Sequence, residues 1–320
     1  MGDLDGSFLL PSPIEELKDD WFKQKNIKVL VKRDDMIHPW LSGNKYRKLK
    51  YNLEQAKEAN KSTIITFGGA FSNHLYAVAG ACDIYGFKSI GIIRGEIDSD
   101  NPTIQFCLDK NMKLIPVSRH EYKKKEQSIV VQDILKEYSN YYLVPEGGSN
   151  PLSLLGTAEL VDEMYTQLGC IPDYLVLPTA TGGTAAGLLS AEGLQSKVLA
   201  FSVLKSGEVR NSILSLANNR NEELLTVVSE YHFGGYAKKN QILLDFIIAF
   251  EKKYNIPIDH VYNAKSLYGL FDMIAIGDIP DNSCVCYIHT GGLQGKMGLE
   301  YMHSTKNHEV RNQKGTQLKK

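Results

Sequence analysis

A lysine near the start of the chain lies in a context that suits covalent chemistry. Lys45 follows a glycine turn within Ser42–Leu49, at the head of a predicted helix and among further basic residues. A lysine amine condenses with an aldehyde and, once released, moves a proton, provided that burial and neighbouring cations lower its pKa. For this segment alone a solvated basic face is the plainer interpretation, so the other motifs must decide between the two.

The segment Thr66–His74 provides a candidate anion site. Its glycines allow a tight turn after a predicted strand, and Ser72 and Asn73 begin a helix whose free N–H groups attract an anion. A substrate carboxylate suits the helix start at Ser72 and Asn73, and the Asn73 amide, which both donates and accepts, suits a phenolate oxygen. Ser72 is equally suited to cap the helix, and capping is compatible with carboxylate binding.

A third motif, within Leu177–Gly187, has the composition of a phosphate loop. The loop consists of Thr181, Gly182, Gly183, Thr184 and Ala185. Its backbone N–H groups and hydroxyls can surround a phosphate at a helix start. The loop lacks the lysine of a nucleotide P-loop and the spacing of a dinucleotide fingerprint, so a monophosphate fits better than ATP or NAD. Together with the aldehyde-binding lysine and the anion site, it predicts a pyridoxal 5'-phosphate (PLP) site.

Three further segments carry weaker signals. Tyr236 follows two glycines, Tyr262 lies within Asp259–Lys265, and His289–Gly292 follows a predicted strand end, where α/β proteins place ligands. The chain has 17 tyrosines, and any one of them is more often a packing residue than an acid. The last segment is equally compatible with a simple turn.

The elements that must position these residues have an α/β pattern. Short β-branched runs alternate with amphipathic segments, which favours mostly parallel strands. Tyr46, Leu49, Leu53 and Ala56 recur at helical spacing. Ser149 or Asn150 is suited to cap a helix that begins near Pro151. The predicted strands are Lys28–Val31, Ser62–Phe67, Ser89–Arg94, Lys113–Val117, Tyr141–Val144, Tyr174–Leu177, Lys197–Val203, Leu225–Val228 and Ser283–Ile288.

Composition excludes several classes of function. The 320 residues are 43% hydrophobic and 23% charged with a net charge of −1, so electrostatics offers a nucleic-acid partner no support. No apolar run is long enough to span a membrane and no signal peptide is visible, so we expect a cytoplasmic protein. The five cysteines lack zinc-ligand spacing and are interpreted as structural thiols. The polar tail from His303 predicts an exposed end.

With these motifs in place, the chain resembles the aminocyclopropane-carboxylate (ACC) deaminase/D-cysteine desulfhydrase family, within the tryptophan-synthase-β-like, fold type II PLP enzymes. The likeness is carried by Pro11–Ile14, Val31–Asp35, the Lys45, Ser72 and Thr181 motifs, Pro145–Gly148 and His289–Gly292. It implies two open, twisted α/β sheets in two domains. The large PLP-binding domain comprises residues 1–50 and 160–320, and the small inserted domain comprises residues 51–159.

The resemblance also implies roles for single residues. It places PLP on Lys45 and the phosphate on the 181–185 loop. It assigns the substrate carboxylate and a cofactor oxygen to Ser72, Asn73 and His74, and it places Tyr236 and Tyr262 near a small amino-acid substrate. A homodimer is usual for the family. From the sequence alone, His74 is still better interpreted as a packing or surface histidine.

Two positions depart from the deaminase pattern. The deaminase branch has glutamate and leucine where this chain has Asn263 and Thr290. In the family that this chain resembles, these two positions flank the pyridine nitrogen of the cofactor. Both residues here are neutral and cannot keep the ring protonated, so they predict a weak electron sink. A weak sink suits β-elimination of a good leaving group better than opening of a cyclopropane. Thr290 matches the desulfhydrase branch, and Asn263 matches neither.

The leading hypothesis is a PLP-dependent lyase that carries out β-elimination on D-cysteine or a related small amino acid, giving pyruvate, sulfide and ammonia. Lys45 removes the α-proton, and Tyr236 or Tyr262 polarises the substrate or assists the leaving group. The alternatives are an ACC deaminase and a PLP-binding protein with little catalysis. A dinucleotide-dependent reductase ranks behind these because no Gly-x-Gly-x-x-Gly motif follows an N-terminal strand.

Overall fold

The strands of the protein form two sheets. The computed structural model describes residues 8–301. The strands are β1 (Ile14–Glu16), β2 (Lys28–Lys32), β3 (Thr63–Gly68), β4 (Lys88–Arg94), β5 (Lys113–Val117), β6 (Tyr141–Val144), β7 (Tyr174–Thr179), β8 (Lys197–Ser202), β9 (Leu225–Val228) and β10 (Cys284–Ile288). Every strand predicted from the sequence is confirmed, with its ends shifted by two residues or fewer. Only β1 was missed, because three residues are too short for an alternation signal.

Helices surround the sheets. They are α1 (Asp20–Gln24), α2 (Gly43–Glu58), α3 (Asn73–Tyr85), α4 (Pro102–Asp109), α5 (Arg119–Lys124), α6 (Ile129–Lys136), α7 (Pro151–Leu168), α8 (Gly183–Ser190), α9 (Val209–Leu216), α10 (Gln241–Tyr254) and α11 (Asn263–Ile276). Within the described part of the chain, no helix is both long and apolar enough to cross a membrane. The predicted tail from His303 lies outside the described residues.

The two sheets draw on different parts of the chain. One has the order β1-β2-β10-β7-β8-β9 and is parallel except for β1, and the other has the parallel order β5-β4-β3-β6. The first sheet therefore joins both ends of the chain, and the second uses the middle. The predicted domain limits after residues 50 and 159 fall within α2 and α7, which pack against each other, and the division into two domains stays a prediction.

Apolar burial explains why α2 and α7 take their positions. In α2, Tyr46, Leu49, Leu53 and Ala56 are all buried, which confirms the helical face predicted from their spacing. Burying one such leucine contributes about 1.5–3 kcal/mol. At the start of α7, Asn150 rather than Ser149 provides the cap, and its side chain accepts a hydrogen bond from the backbone of the third helical residue.

The parallel strands deliver the candidate site residues to one region. The carboxyl ends of parallel strands meet at a common edge of a sheet, where ligands of α/β proteins bind. β7 leads into the Thr181 loop, and β10 leads into Thr290 and Gly291, while β3 of the second sheet leads into the Ser72 turn. The cysteines are unpaired, and Cys286 is fully buried in β10.

Candidate active site

The turn before Lys45 is closed by the end of β10. Gly43 has a φ of 60°, a left-handed conformation that glycine tolerates. A Cβ on Gly43 would also overlap the carbonyl group of Thr290. The backbone N–H of Asn44 donates to this carbonyl at 3.2 Å. Two independent constraints therefore require glycine at position 43, and both fix the start of α2 against the strand end.

Lys45 has a second lysine beside it, one helical turn further on. The Lys45 Nζ lies 3.4 Å from the carbonyl oxygen of Gly147, and the Lys48 Nζ donates to the Ser149 hydroxyl at 3.0 Å. Among the described residues, neither lysine has a carboxylate within ion-pair distance. Burial lowers the pKa of Lys45 to about 8. Burial and the charge of Lys45 together place the pKa of Lys48 well below its ordinary value.

The predicted phosphate loop lies beside this lysine pair. The Asn44 side chain donates to the Thr184 hydroxyl at 2.9 Å, which ties the lysine turn to the loop. The Ser149 and Thr181 hydroxyls are 3.1 Å apart. A Cβ on Gly183 would lie 2.9 Å from the Lys48 Nζ, so the glycine allows the lysine to approach the start of α8 closely. Free N–H groups of a helix start and an unpaired ammonium form a donor set that fits a phosphate.

Ser72 and Asn73 occupy the start of α3 as the sequence predicts. The Ser72 hydroxyl accepts a hydrogen bond from the backbone N–H of Leu75 at 3.2 Å, so its capping role is confirmed. A Cβ on Gly292 would lie 2.7 Å from the Asn73 side-chain nitrogen, and Gly292 has a φ of 85°. The turn after β10 thus contacts both the lysine turn and the anion turn.

One cavity brings several of the predicted residues together. Lys45, Asn73 and Thr290 line a shared cavity, together with aromatic and amide side chains. The part of its wall that the described residues form includes no carboxylate. Lys45 is the one ionisable side chain, apart from a tyrosine, among these lining residues. The Lys45 amine therefore lies beside neutral side chains in this cavity.

His74 faces away from this cavity and into the protein. It is 3% exposed, and its Nε2 lies 2.8 Å from the Thr66 hydroxyl, which itself donates to the carbonyl of Val144. Its Nδ1 has no hydrogen-bond partner among the described residues. Burial and the charges of Lys45 and Lys48 hold the pKa of His74 well below its ordinary value, so the imidazole is neutral. Its role toward the substrate carboxylate stays a prediction.

Tyr236 and Tyr262 form a pair. The Tyr262 hydroxyl donates to the Tyr236 hydroxyl at 3.2 Å, and the ring planes meet at 76°. The buried Asp259 carboxylate caps the start of α11 by accepting from the backbone N–H groups of Val261, Tyr262 and Asn263. Burial, and then the neighbouring Tyr236, raise the pKa of Tyr262 well above its ordinary value. The phenol of Tyr262 therefore stays protonated at neutral pH.

The Asn263 amide is occupied by bonds within the protein. Its nitrogen donates to Asp259 and to the carbonyl of Gly291, both at 2.8 Å. Its oxygen accepts from the Tyr287 hydroxyl at 3.0 Å and from the backbone N–H of Thr290 at 3.2 Å. Asn263 thus links the start of α11 to the end of β10. Its predicted role beside the pyridine nitrogen stays a prediction, as does that of Thr290.

Sequence reasoning missed three residues of this arrangement. Asn44, Lys48 and Ser149 connect the lysine turn to the phosphate loop, but none was named as a candidate. The available signal was the spacing of Lys48 from Lys45, since residues three apart on a helix lie on one face. Ser149 offered no local signal beyond its position in a polar turn.

Comparison with known proteins agrees with this geometry. The chain matches the model of the family described as "Pyridoxal-phosphate dependent enzyme" over residues 8–291. It belongs to this family. The protein is therefore a PLP-dependent enzyme, and its α/β fold is that of the fold type II members.

Its relatives place it in the ACC deaminase/D-cysteine desulfhydrase group. A protein of Pyrococcus abyssi named "Putative 1-aminocyclopropane-1-carboxylate deaminase" is 30% identical over 288 residues, covering 85% of this chain and 87% of that protein. The bifunctional D-cysteine desulfhydrase/ACC deaminase of Arabidopsis thaliana, named as mitochondrial, is 31% identical over 295 residues, covering 83% and 72%. A solved structure described as an ACC deaminase homologue has a TM-score of 0.78 at 25% identity, covering 92% and 94%.

The site observed here fits PLP on its own chemistry. The amine of Lys45 suits the aldehyde, and the Lys48 amine close to the start of α8 suits the phosphate. The neutral cavity wall next to Asn73 suits the ring. These three features lie side by side, because Asn44 contacts the Thr184 loop and the Gly292 turn contacts Asn73.

Proposed function

We propose that the enzyme catalyses β-elimination from a small amino acid, with D-cysteine as the leading substrate. The products are pyruvate, hydrogen sulfide and ammonia, and one water is consumed. The observation that carries the proposal is the neutral surrounding of the cavity, in which Lys45 has no carboxylate beside it and the residues at positions 263 and 290 are an amide and a hydroxyl. A cavity without a carboxylate suits elimination of a good leaving group.

We further propose how the chain holds its cofactor. Lys45 forms the covalent link. The backbone of Thr181–Ala185 and the Lys48 ammonium hold the phosphate, and Asn73 holds the ring hydroxyl. The cofactor supplies the aldehyde that captures the substrate amine and a ring that withdraws electrons from the α-carbon. Asn263 and Thr290 are both neutral and would give the ring nitrogen no negative charge.

The start of α3 is proposed to bind the substrate carboxylate. The first N–H groups of a helix have no acceptor within the helix, and here those of Asn73 and His74 come directly after the Ser72 cap. The Lys45 amine would remove the α-proton of the bound substrate. A pKa of about 8 leaves part of the amine uncharged near neutral pH.

The tyrosine pair is proposed to act on the leaving group. The Cβ–S bond breaks with its electron pair on sulfur, and a protonated phenol donates to the departing thiolate. Tyr236 is half-exposed at the protein surface, and Tyr262 holds its hydroxyl from inside. Tyr236 can therefore meet a substrate that enters from solvent, while Tyr262 stays fixed.

ACC deaminase activity is the second candidate, because several relatives carry that name. Purified protein supplied with PLP would be mixed in turn with D-cysteine, D-serine, β-chloro-D-alanine and ACC. Pyruvate from D-cysteine at a rate above that of 2-oxobutyrate from ACC is the expected result. Faster 2-oxobutyrate formation would favour the deaminase and contradict the argument from the neutral residues. A PLP absorbance band that no amino acid changes would contradict both.

Assembly and location also stay proposals. We propose a homodimer on the basis of the family resemblance. Light scattering coupled to size-exclusion chromatography measures the mass directly, and a mass near that of one 35.8 kDa chain would contradict the proposal. The cytoplasmic location expected from the sequence is a prediction of the same kind.

A further inference from the structure

The loop that carries Tyr236 has an unfavourable backbone. It connects β9 to α10 and includes four consecutive or nearly consecutive residues with positive φ. These are Phe233 at 52°, Gly234 at 92°, Gly235 at 115° and Ala237 at 54°. Phenylalanine and alanine rarely adopt this conformation, and each such residue costs free energy that the surroundings must offset. Tyr236 therefore needs outside contacts to keep its position.

Lys265 provides such a contact to the backbone of the loop. Its side chain is 1% exposed, and its Nζ donates to the carbonyls of His232 at 2.9 Å and Gly235 at 2.8 Å. Within the described chain, Lys265 forms no ion pair with a carboxylate. Burial lowers the pKa of Lys265 to about 8, although the charge of Asp259 opposes this. A buried lysine without an ion pair lowers the stability of the fold. The two hydrogen bonds to the loop carbonyls are what offsets this cost at Lys265.

The start of α11 also contacts Tyr236 through a second residue, Tyr262. Lys265 lies in the first turn of α11, three residues after Tyr262, whose hydroxyl contacts that of Tyr236. Lys265 fixes the backbone before Tyr236, and Tyr262 fixes its hydroxyl. Asp259 caps this helix end and accepts hydrogen bonds from the backbone N–H groups of Tyr262 and Asn263. The two tyrosines and the lysine form one unit built on the start of α11.

We propose that Lys265 is a positioning residue for Tyr236: it sets the loop backbone so that the Tyr236 hydroxyl faces the substrate. This inference rests on the role given to Tyr236 in the proposed function. Lys265 itself contacts neither the lysine turn nor the phosphate loop. Its loss should leave cofactor binding intact and lower turnover through Tyr236 alone.

A double-mutant cycle on the holoenzyme tests the proposal. The variants are Lys265→Met, Tyr236→Phe and both together, with Lys252→Met on the exposed face of α10 as the matched control. The substrate is whichever of D-cysteine and ACC the unmodified enzyme turns over. We expect Lys265→Met to lower kcat/KM by about tenfold to a hundredfold, with the PLP absorbance unchanged. The double variant should be no slower than Tyr236→Phe alone, because Lys265 acts through that residue.

Trypsin cleavage gives a readout that does not depend on catalysis. Lys238 lies exposed in the same loop, two residues after Tyr236. Lys265→Met should speed cleavage after Lys238, and Lys252→Met should not. Losses that multiply in the double variant, or an unchanged cleavage rate, would overturn the inference. If Tyr236→Phe is fully active, the proposed role of Tyr236 fails, and the cleavage rate alone then decides whether Lys265 holds the loop.

Discussion

Helix α2 contributes cations to two clusters on different faces. The protein compensates the positive charge of the two clusters in different ways. On one face, Arg47 is 2% exposed and binds Asp34 at 2.9 Å and Glu163 at 2.6 Å. On the other face, Lys45 and Lys48 contact backbone and hydroxyl oxygens. About one helical turn therefore carries one cluster that is neutralised within the protein and one that is not.

The difference separates structure from function. A buried cation that is fully paired fixes the elements around it, and removing one partner leaves an uncompensated charge. A buried cation without a carboxylate lowers stability until an anion arrives. The Arg47 cluster joins α2 to α7 and to the residues after β2, while the lysine pair beside the Thr184 loop is proposed to bind a phosphate and an aldehyde. The clusters can be tested one at a time.

The largest effect should come from Lys45→Ala. Without this amine the chain loses both its covalent hold on PLP and its base, so activity should fall by about a thousandfold or more. Steady-state rates and the visible absorbance of bound PLP measure the two losses. Lys57→Ala, on the exposed end of the same helix, is the control. A Lys45→Ala enzyme that retains a tenth of the activity would show that the base lies elsewhere.

The paired cluster should dominate stability instead. Arg47→Met leaves the buried Asp34 and the partly buried Glu163 without their main partner, so the free energy of unfolding should fall by about 3–5 kcal/mol. Urea unfolding followed by circular dichroism measures this change. A loss below about 1 kcal/mol, as at an exposed ion pair, would mean that the cluster is not a fixed part of the fold.

Acid should weaken the same cluster. Burial would raise the pKa of Glu163, but hydrogen bonds and charges from Arg47 and Lys32 outweigh burial and hold it at about 2. Because the folded pKa is lower than the unfolded value of 4.5, stability is fully present above about pH 5 and is lost as pH falls toward 2. The loss amounts to about 3 kcal/mol at 1.36 kcal/mol per pKa unit. Unfolding at pH 6 and pH 3 tests this, and Glu163→Gln should show a flatter dependence on pH.

The smallest effect should come from Lys48→Met, with opposite signs in two measurements. Loss of a charged phosphate partner should weaken PLP affinity by about tenfold to a hundredfold. Removal of a buried cation that lacks a carboxylate should raise the stability of the PLP-free protein by about 1 kcal/mol. Equilibrium dialysis of PLP and urea unfolding of the PLP-free form measure these changes. A fall in both quantities would remove the distinction between the two clusters.

Local patterns in the sequence account for the elements and for the lysine. Gly43 and Lys45 stand out because a turn glycine and a helix start are local, and the caps at Ser72 and Asn150 are local for the same reason. The Arg47–Glu163 pair joins residues 116 positions apart, and no periodicity reports such a contact. For the same reason the spacing of His74 and Asn263 could not show that the interior of the protein already binds both side chains.

The contact between Gly43 and Thr290 has a consequence for how the chain folds. β10 lies between β2 and β7 in the six-stranded sheet, although it is the last strand along the described part of the chain. The sheet must therefore keep a central gap until almost the whole chain has left the ribosome, and closing it brings together residues far apart in sequence, which is slow. Lys45 is synthesised early, yet its turn is completed last. We expect nascent chains that end before Cys284 to be unable to capture PLP.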